Sequence, residues 1–190
     1  MSTDEIRTWV GRVNKRKVPK QYQDATVDNT PRAQRVYDSL TKNPERLVFV
    51  TGTHGCGKTR LLYAAAKQAD VEGRMFRIEL APQMILGFQK VASVDMYELD
   101  ADIYELQKYP GTLAIDDLGA EKTTDFALQC LYLVLAFREQ WGLPTVITSN
   151  LSVEALGERL GDRIGSRLLA GKTVELGGHD RRAEMSGKSN

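Results

Sequence analysis

Leu47-Val-Phe-Val-Thr-Gly-Thr-His-Gly-Cys-Gly-Lys-Thr59 is the stretch that decides the fold. Its first five residues form a short apolar, β-rich run of the kind that becomes a strand covered on both faces. Its last eight match the pattern G-x-x-x-x-G-K-[ST], and a helix-forming run opens at Lys58. The glycines let the backbone wrap inward so that successive N–H groups point at phosphate oxygens. The following helix presents its positive N-terminal end to the same charge. Lys58 is then placed to bridge the β and γ phosphates of a nucleoside triphosphate, and Thr59 to offer its hydroxyl to Mg²⁺. A chance match in a chain of this length is on the order of one per cent, which sets aside a mere glycine-rich turn beside a surface lysine.

Outward from this stretch, Leu113 to Ile115 and Thr145 to Thr148 read as further buried strands, with Phe76 to Leu80 and Thr173 to Leu176 as weaker ones. Helical patterns separate them: Lys58 to about Val71, Ala81 to about Val91, part of Asp95 to Lys108, Asp125 to Trp141, and Ser152 to Leu169. An earlier helix is expected from the Thr30-Pro31 start signal to about Lys42, where Asn43 and Pro44 break it. Strands alternating with helices predict an α/β, three-layer fold. Its five-stranded parallel sheet carries helices on both faces, because parallel strands need crossover connections.

The 190 residues suit one domain with short appendages. A net charge of +1 argues against a wholly basic nucleic-acid binder, so any such contact has to come from a local patch. Cys56 and Cys130 are the only cysteines, too few for a disulfide framework or a zinc site, which fits a reducing cytosol. The N-terminus has acids where a signal peptide needs a basic region, and no run approaches the roughly 20 apolar residues of a membrane span. A soluble, cytoplasmic protein with no membrane partner is expected. Residues 1–17 hold a possible capping box at Ser2 and Glu5 and a helical stripe of Ile6, Trp9, Val10 and Val13. This short helix either docks on its own domain or grips a partner. Residues 183–190 read as a loose polar tail.

Two further strand ends carry chemistry. Thr112-Leu-Ala-Ile-Asp-Asp117 ends in two carboxylates that strand alternation points to different sides. Asp116 is expected in the magnesium shell. Asp117 faces the space where an attacking water would lie. The shorter Asp at the second position predicts slow intrinsic hydrolysis, because it orients water less well than Glu. In Thr145-Val-Ile-Thr-Ser-Asn150, Asn150 is expected beside the γ phosphate, since Ser152 can cap the next helix in its place. The nucleotide-binding stretch is Gly52, Thr53, His54, Gly55, Cys56, Gly57, Lys58, Thr59 and Arg60. Metal or redox roles for His54 and Cys56 are set aside, because the loop binds through its backbone and a lone Cys lacks a base. From Glu158 to Leu168, Arg159, Arg163 and Arg167 fall four apart on one helical face and Leu160, Ile164 and Leu168 on another. The arginines are either a solvated stripe paired with Glu158 and Asp162, or one of them enters a neighbouring subunit's site.

The GTHGCGKT loop, the LAIDDLG and TVITSN strands and the ERLGDRIGSRLLAG helix together resemble the AAA+ ATPases of the DnaC-like helicase loaders and the related IstB transposition helpers. The resemblance covers residues 18–182 and implies an AAA+ domain with no separate lid. Val18-Pro-Lys-Gln-Tyr22 with Ala25-Thr-Val-Asp-Asn29 looks like the family segment that lies near the adenine. By the resemblance Arg167 is the trans-acting arginine finger, with Arg163 second choice. Arg182, with Arg181 as rival, is the arginine that senses nucleotide. The implied function is an ATP-dependent loader that binds Mg-ATP and single-stranded DNA, self-associates through the arginine helix and delivers a replicative ring helicase. Hydrolysis by the lone subunit is expected to be weak. Lys90 and Lys108 mark a candidate DNA face, although the acids from Asp95 to Glu105 argue against its second half. Loaders of this kind carry a helicase-gripping domain where residues 1–17 stand. The rivals are an IstB-like transposition helper, a truncated loader mimic acting as adaptor or inhibitor, and, last, a small-molecule kinase.

Overall fold

Five short runs rich in apolar and β-branched residues form one parallel sheet: β1 (Leu47–Thr51), β2 (Phe76–Leu80), β3 (Thr112–Asp116), β4 (Thr145–Ser149) and β5 (Lys172–Glu175). A computed structural model describes residues 18–42, 47–92, 96–120 and 124–177, and within them the strand order is β2-β3-β4-β1-β5. The central β3 and β4 are buried along their whole length. The edge strands β2 and β5 keep half-buried and exposed positions, which is why their sequence signal is weaker.

Seven α-helices flank the strands among the described residues. They are α1 (Ala33–Thr41), α2 (Lys58–Val71), α3 (Ala81–Ala92), α4 (Met96–Lys108), α5 (Asp125–Gln140), α6 (Val153–Leu160) and α7 (Asp162–Ala170). Strand alternation divides the core. Phe49, Leu113, Ile115 and Ile147 turn to the side covered by α3 to α7, while Val48, Val50, Ala114 and Val146 turn to the side covered by α1 and α2. The pairing Phe49↔Ile147 and Ile115↔Ile147 keeps the apolar rows in line, and a slip of one residue would turn each row to the wrong layer. The chain runs from β1 to the far edge at β2, returns through β3 and β4, then crosses β1 to β5. This arrangement puts a crevice at the carboxyl ends of β1, β3 and β4.

Two expected boundaries move. The first helix begins at Ala33 rather than at Pro31, because Arg32 adopts a left-handed backbone (φ 63°) that cannot continue a helix. The single helix expected from Ser152 to Leu169 is two helices. Gly161 (φ 91°) ends α6, so Arg159 lies on a different helix from Arg163 and Arg167. The two helices cross so closely that a Cβ added to Gly165 would lie 2.7 Å from the Gly157 Cα. The helix expected around Trp9 and the polar tail at 183–190 fall outside the described residues.

At the amino ends of the strands, Arg138 of α5 is fully buried. Its Nε donates to Thr145 Oγ1 (2.9 Å). Its Nη1 donates to the carbonyls of Leu106 (3.0 Å) and Tyr109 (2.9 Å), and its Nη2 to those of Gly111 (2.9 Å) and Pro144 (2.8 Å). One cation thereby fastens the end of α4 to the starts of β3 and β4.

Candidate functional site

Between β1 and α2 the chain has to reverse within six residues, and Gly57 at φ 103° supplies a conformation that side-chain-bearing residues rarely adopt. Gly57 is also the N-cap of α2, and no side chain caps that helix. The first N–H groups of α2 are therefore left for an outside acceptor, and an anion suits them.

Two hydrogen-bond rails cross from this loop to the neighbouring strands. On the first, the Lys58 ammonium donates to the carbonyls of Gly52 (2.8 Å) and Thr53 (2.9 Å) and to Asn150 Oδ1 (2.5 Å). Asn150 Nδ2 in turn donates to Asp117 Oδ1 (2.8 Å). On the second, Thr59 Oγ1 donates to Asp116 Oδ2 (2.9 Å), and Thr148 Oγ1 donates to Asp116 Oδ1 (2.5 Å). Lys58, Asn150, Asp117, Thr59 and Asp116 thus lie in one cluster at the carboxyl ends of β1, β3 and β4. Burial pushes the Asp116 carboxyl above the usual carboxylate range, against the pull of the Thr148 and Thr59 hydroxyls. Asp117 follows β3 in the left-handed region (φ 61°), held there by its N–H donating to Thr148 Oγ1 (3.0 Å). Such a backbone costs on the order of 1–3 kcal/mol and is met chiefly where a side chain has to be aimed. Ser152 Oγ accepts from the Ala155 N–H (3.2 Å) and caps α6, which leaves the Asn150 side chain to the first rail.

The sequence reading missed Thr148. It is fully buried, and its one hydroxyl serves both Asp116 and the Asp117 backbone. The available signal was a hydroxyl in the middle of a buried strand, where an unpartnered one would be costly.

The other expected residues divide. Within the loop, Cys56 is buried and His54 exposed. Arg60 turns away from the loop and forks onto Asp24 (2.9 and 3.0 Å). Arg167 folds back onto α5 of its own chain. Its Nη1 pairs with Glu139, its Nη2 donates to Tyr132 Oη (3.3 Å), and its enclosed Nε has no partner. Arg163, exposed, lies over the same Tyr132 ring with 5.8 Å from its guanidinium carbon to the ring centre. On the expected DNA face, Lys108 is tied to Tyr104 of its own helix. Arg181 and Arg182 lie outside the described residues.

The donor chemistry fits a magnesium nucleotide. Mg²⁺ prefers one or two protein oxygens with phosphates and water completing its shell, and the Thr59 hydroxyl and Asp116 carboxylate are that kind of pair. Among the described residues no group of three or more His, Cys, Asp or Glu could hold a metal ion. Among the same residues no helix is long and apolar enough to cross a membrane.

No protein-family model matches the sequence, and a search of curated proteins finds no match. Solved structures do match. A crystal structure of the DnaC helicase loader is 20% identical, with TM-score 0.69, 84% of this chain covered and 100% of that one. A crystal structure of DnaI is 23% identical, with TM-score 0.70, 87% of this chain covered and 95% of that one. The replication initiator DnaA bound to AMPPCP and single-stranded DNA is 18% identical, with TM-score 0.72 and 83% of this chain covered. The chain spans about half the length of that DnaA structure and of a similar DNA replication initiation factor. At such identities the likeness shows the fold alone: the chain shares with these structures a three-layer α/β architecture built on a five-stranded parallel sheet, with no lid domain among its described residues.

Proposed function

We propose that this chain is an ATPase that binds Mg-ATP and delivers a replicative ring helicase onto single-stranded DNA, associating head to tail with its own copies. The observation that supports the reading best is the pair of rails joining Lys58 to Asn150 and Asp117, and Thr59 to Asp116. Bound at this cluster, Mg-ATP would supply an electrophilic γ phosphorus and a cation that draws charge from it. Lys58 would exchange the Gly52 and Thr53 carbonyls for phosphate oxygens, while Thr59 and Asp116 hold the metal side. Asp117 would orient a water molecule, and Asn150 would fix that carboxylate relative to Lys58. A hydrogen-bonded carboxylate on a short side chain favours slow turnover by the lone subunit. Arg167, or Arg163, would stabilise transition-state charge in the next copy, which requires Arg167 to leave Glu139 and Tyr132.

The helicase-loading part rests on likeness to the structures of DnaC and DnaI. It is tested by co-purification with the host's replicative helicase, with and without ATP, using wild type, Lys58→Ala and a chain lacking residues 1–17. ATP-dependent retention of the helicase by wild type and its loss in Lys58→Ala is the expected result. Failure of wild type to retain the helicase in either condition refutes the loader assignment.

A further inference from the structure

Four of the large apolar side chains that the described residues leave in solvent gather on one surface. Tyr97 and Tyr104 stand seven apart on α4, and Leu133 and Trp141 eight apart on α5. Phe137 lies between the latter two, its ring centre 5.9 Å from that of Trp141. Gln107 Nε2 of α4 donates to the Leu133 carbonyl (3.1 Å), which sets the two stripes side by side. The other exposed large apolar residues, Val71, Leu80, Leu86 and Leu169, stand on four separate elements. With Trp141 65% and Tyr104 52% exposed, the α4–α5 face has the character of a contact surface rather than of scattered apolar residues.

The face also has a sign. From Met96 to Lys108 the sequence of α4 contains four acids and one lysine, and Asp100 and Asp102 are exposed on it. Its complement is an amphipathic segment with an apolar stripe and positive charge. Residues 1–17 have that composition: Ile6, Trp9, Val10 and Val13 recur at helical spacing among five basic residues and two acids.

Reach decides whose face such a segment can take. Tyr22 stacks on Tyr63 and Asp24 takes the fork of Arg60, so residue 18 leads into the layer of α1 and α2. The α4–α5 face is on the opposite side of the sheet, about 30 Å away through two helices and the strands between them. Residues 14–17 let Val13 stand at most about 18 Å from Val18. The stripe therefore cannot seat on the face of its own chain. Arg60 belongs to the first turn of α2, so the segment leaves the domain beside the nucleotide cluster, where the α7 of a head-to-tail neighbour would arrive. Because α7 is tied to α5 through Arg167, that neighbour's α5 and α4 come next.

We propose that residues 1–17 of one copy dock on the α4–α5 face of the next, with the apolar stripe against Tyr104, Leu133 and Trp141 and the basic residues toward Asp100 and Asp102. This deepens the head-to-tail association proposed above and rests on it.

The test places p-benzoylphenylalanine at position 9 of the full chain, mixes natural-abundance with isotope-labelled protein in Mg-ATP, and maps the photo-cross-links by mass spectrometry. Cross-links between a heavy and a light chain, from position 9 to residues 97–108 or 133–141, are the expected result. Y104E and W141E alter exposed positions and should each lower that yield about five- to tenfold, the loss of one aromatic anchor, and added salt should lower it as well. Sedimentation velocity follows association separately. Association that persists while the cross-links stay within one chain, or go to other segments, overturns the inference and leaves head-to-tail assembly standing. Yields unchanged in both variants overturn it too. If wild type remains monomeric with and without Mg-ATP, the assembly reading itself fails and the docking of residues 1–17 with it.

Discussion

Replacing Thr148 by Val keeps the side chain's volume and β-branching and removes one hydroxyl. That hydroxyl donates to Asp116 Oδ1 and accepts from the Asp117 N–H, in a position with no exposure to solvent. Two losses follow. A hydrogen bond to a carboxylate contributes about 1.5–3 kcal/mol, and a buried N–H left without an acceptor costs about 1–3 kcal/mol more. Partial relaxation brings the combined figure to roughly 2–4 kcal/mol, which at about 0.4 kcal/mol per degree for a chain of this length lowers the melting temperature by roughly 5–10 °C. The loss should depend on pH with a definite sign. Burial raises the Asp116 pKa, so ionisation of Asp116 destabilises the fold as pH climbs through that raised value, and the ionised form leans most on Thr148. Protonated Asp116 needs that donor less. The variant should therefore lose most stability near neutrality and least in acid, and its affinity for Mg-ATP should fall along with its stability. Urea titrations at pH 7 and near pH 4, with nucleotide binding at pH 7, provide the measurement. A midpoint unchanged at pH 7, or a deficit that grows in acid, would refute the reasoning.

Three other outcomes are expected. Asp116→Asn should abolish magnesium-dependent nucleotide binding yet melt higher than wild type at pH 7, because the buried charge is gone. The gain should vanish as acid protonates the wild-type carboxyl, and scanning calorimetry across pH reads both effects. Gly165→Ala adds a methyl 2.7 Å from Gly157 and should cost about 1–3 kcal/mol in chemical denaturation, more than any gain in helix propensity. An Ala that stabilises would refute so close a crossing of α6 and α7. Glu139→Gln removes the carboxylate that holds Arg167, so hydrolysis should reach half its maximum at about a threefold lower protein concentration, and unchanged concentration dependence counts against a trans-acting Arg167.

Most of the architecture could be read from the sequence because its buried strands are written as unbroken apolar runs and its loop as a spaced glycine pattern. The two edges were fainter, since β2 and β5 mix charged residues into half-covered strands. The α6–α7 break was missed for a physical reason. Gly161 falls between two runs that share one helical period, so Leu160, Ile164 and Leu168, four apart, mimicked a continuous face. In the site, the residue types named their chemistry but not their partners. Arg60 lies next to Thr59 in sequence and so was grouped with the phosphate contacts. Its side chain, however, leaves α2 toward Asp24, a contact spanning 36 positions that no local pattern encodes. Thr148 was hidden in the same way, as one β-branched residue among others until the strands are paired.

Arg138 acts on the molecule as a keystone does on an arch. Its single charge is shared among backbone stretches leading from α4 into β3 and from α5 into β4, so no one of them can fray without taking acceptors away from a cation that has nowhere else to turn. Opening at that rim is consequently concerted. Amides there should exchange with solvent only when the whole domain comes apart.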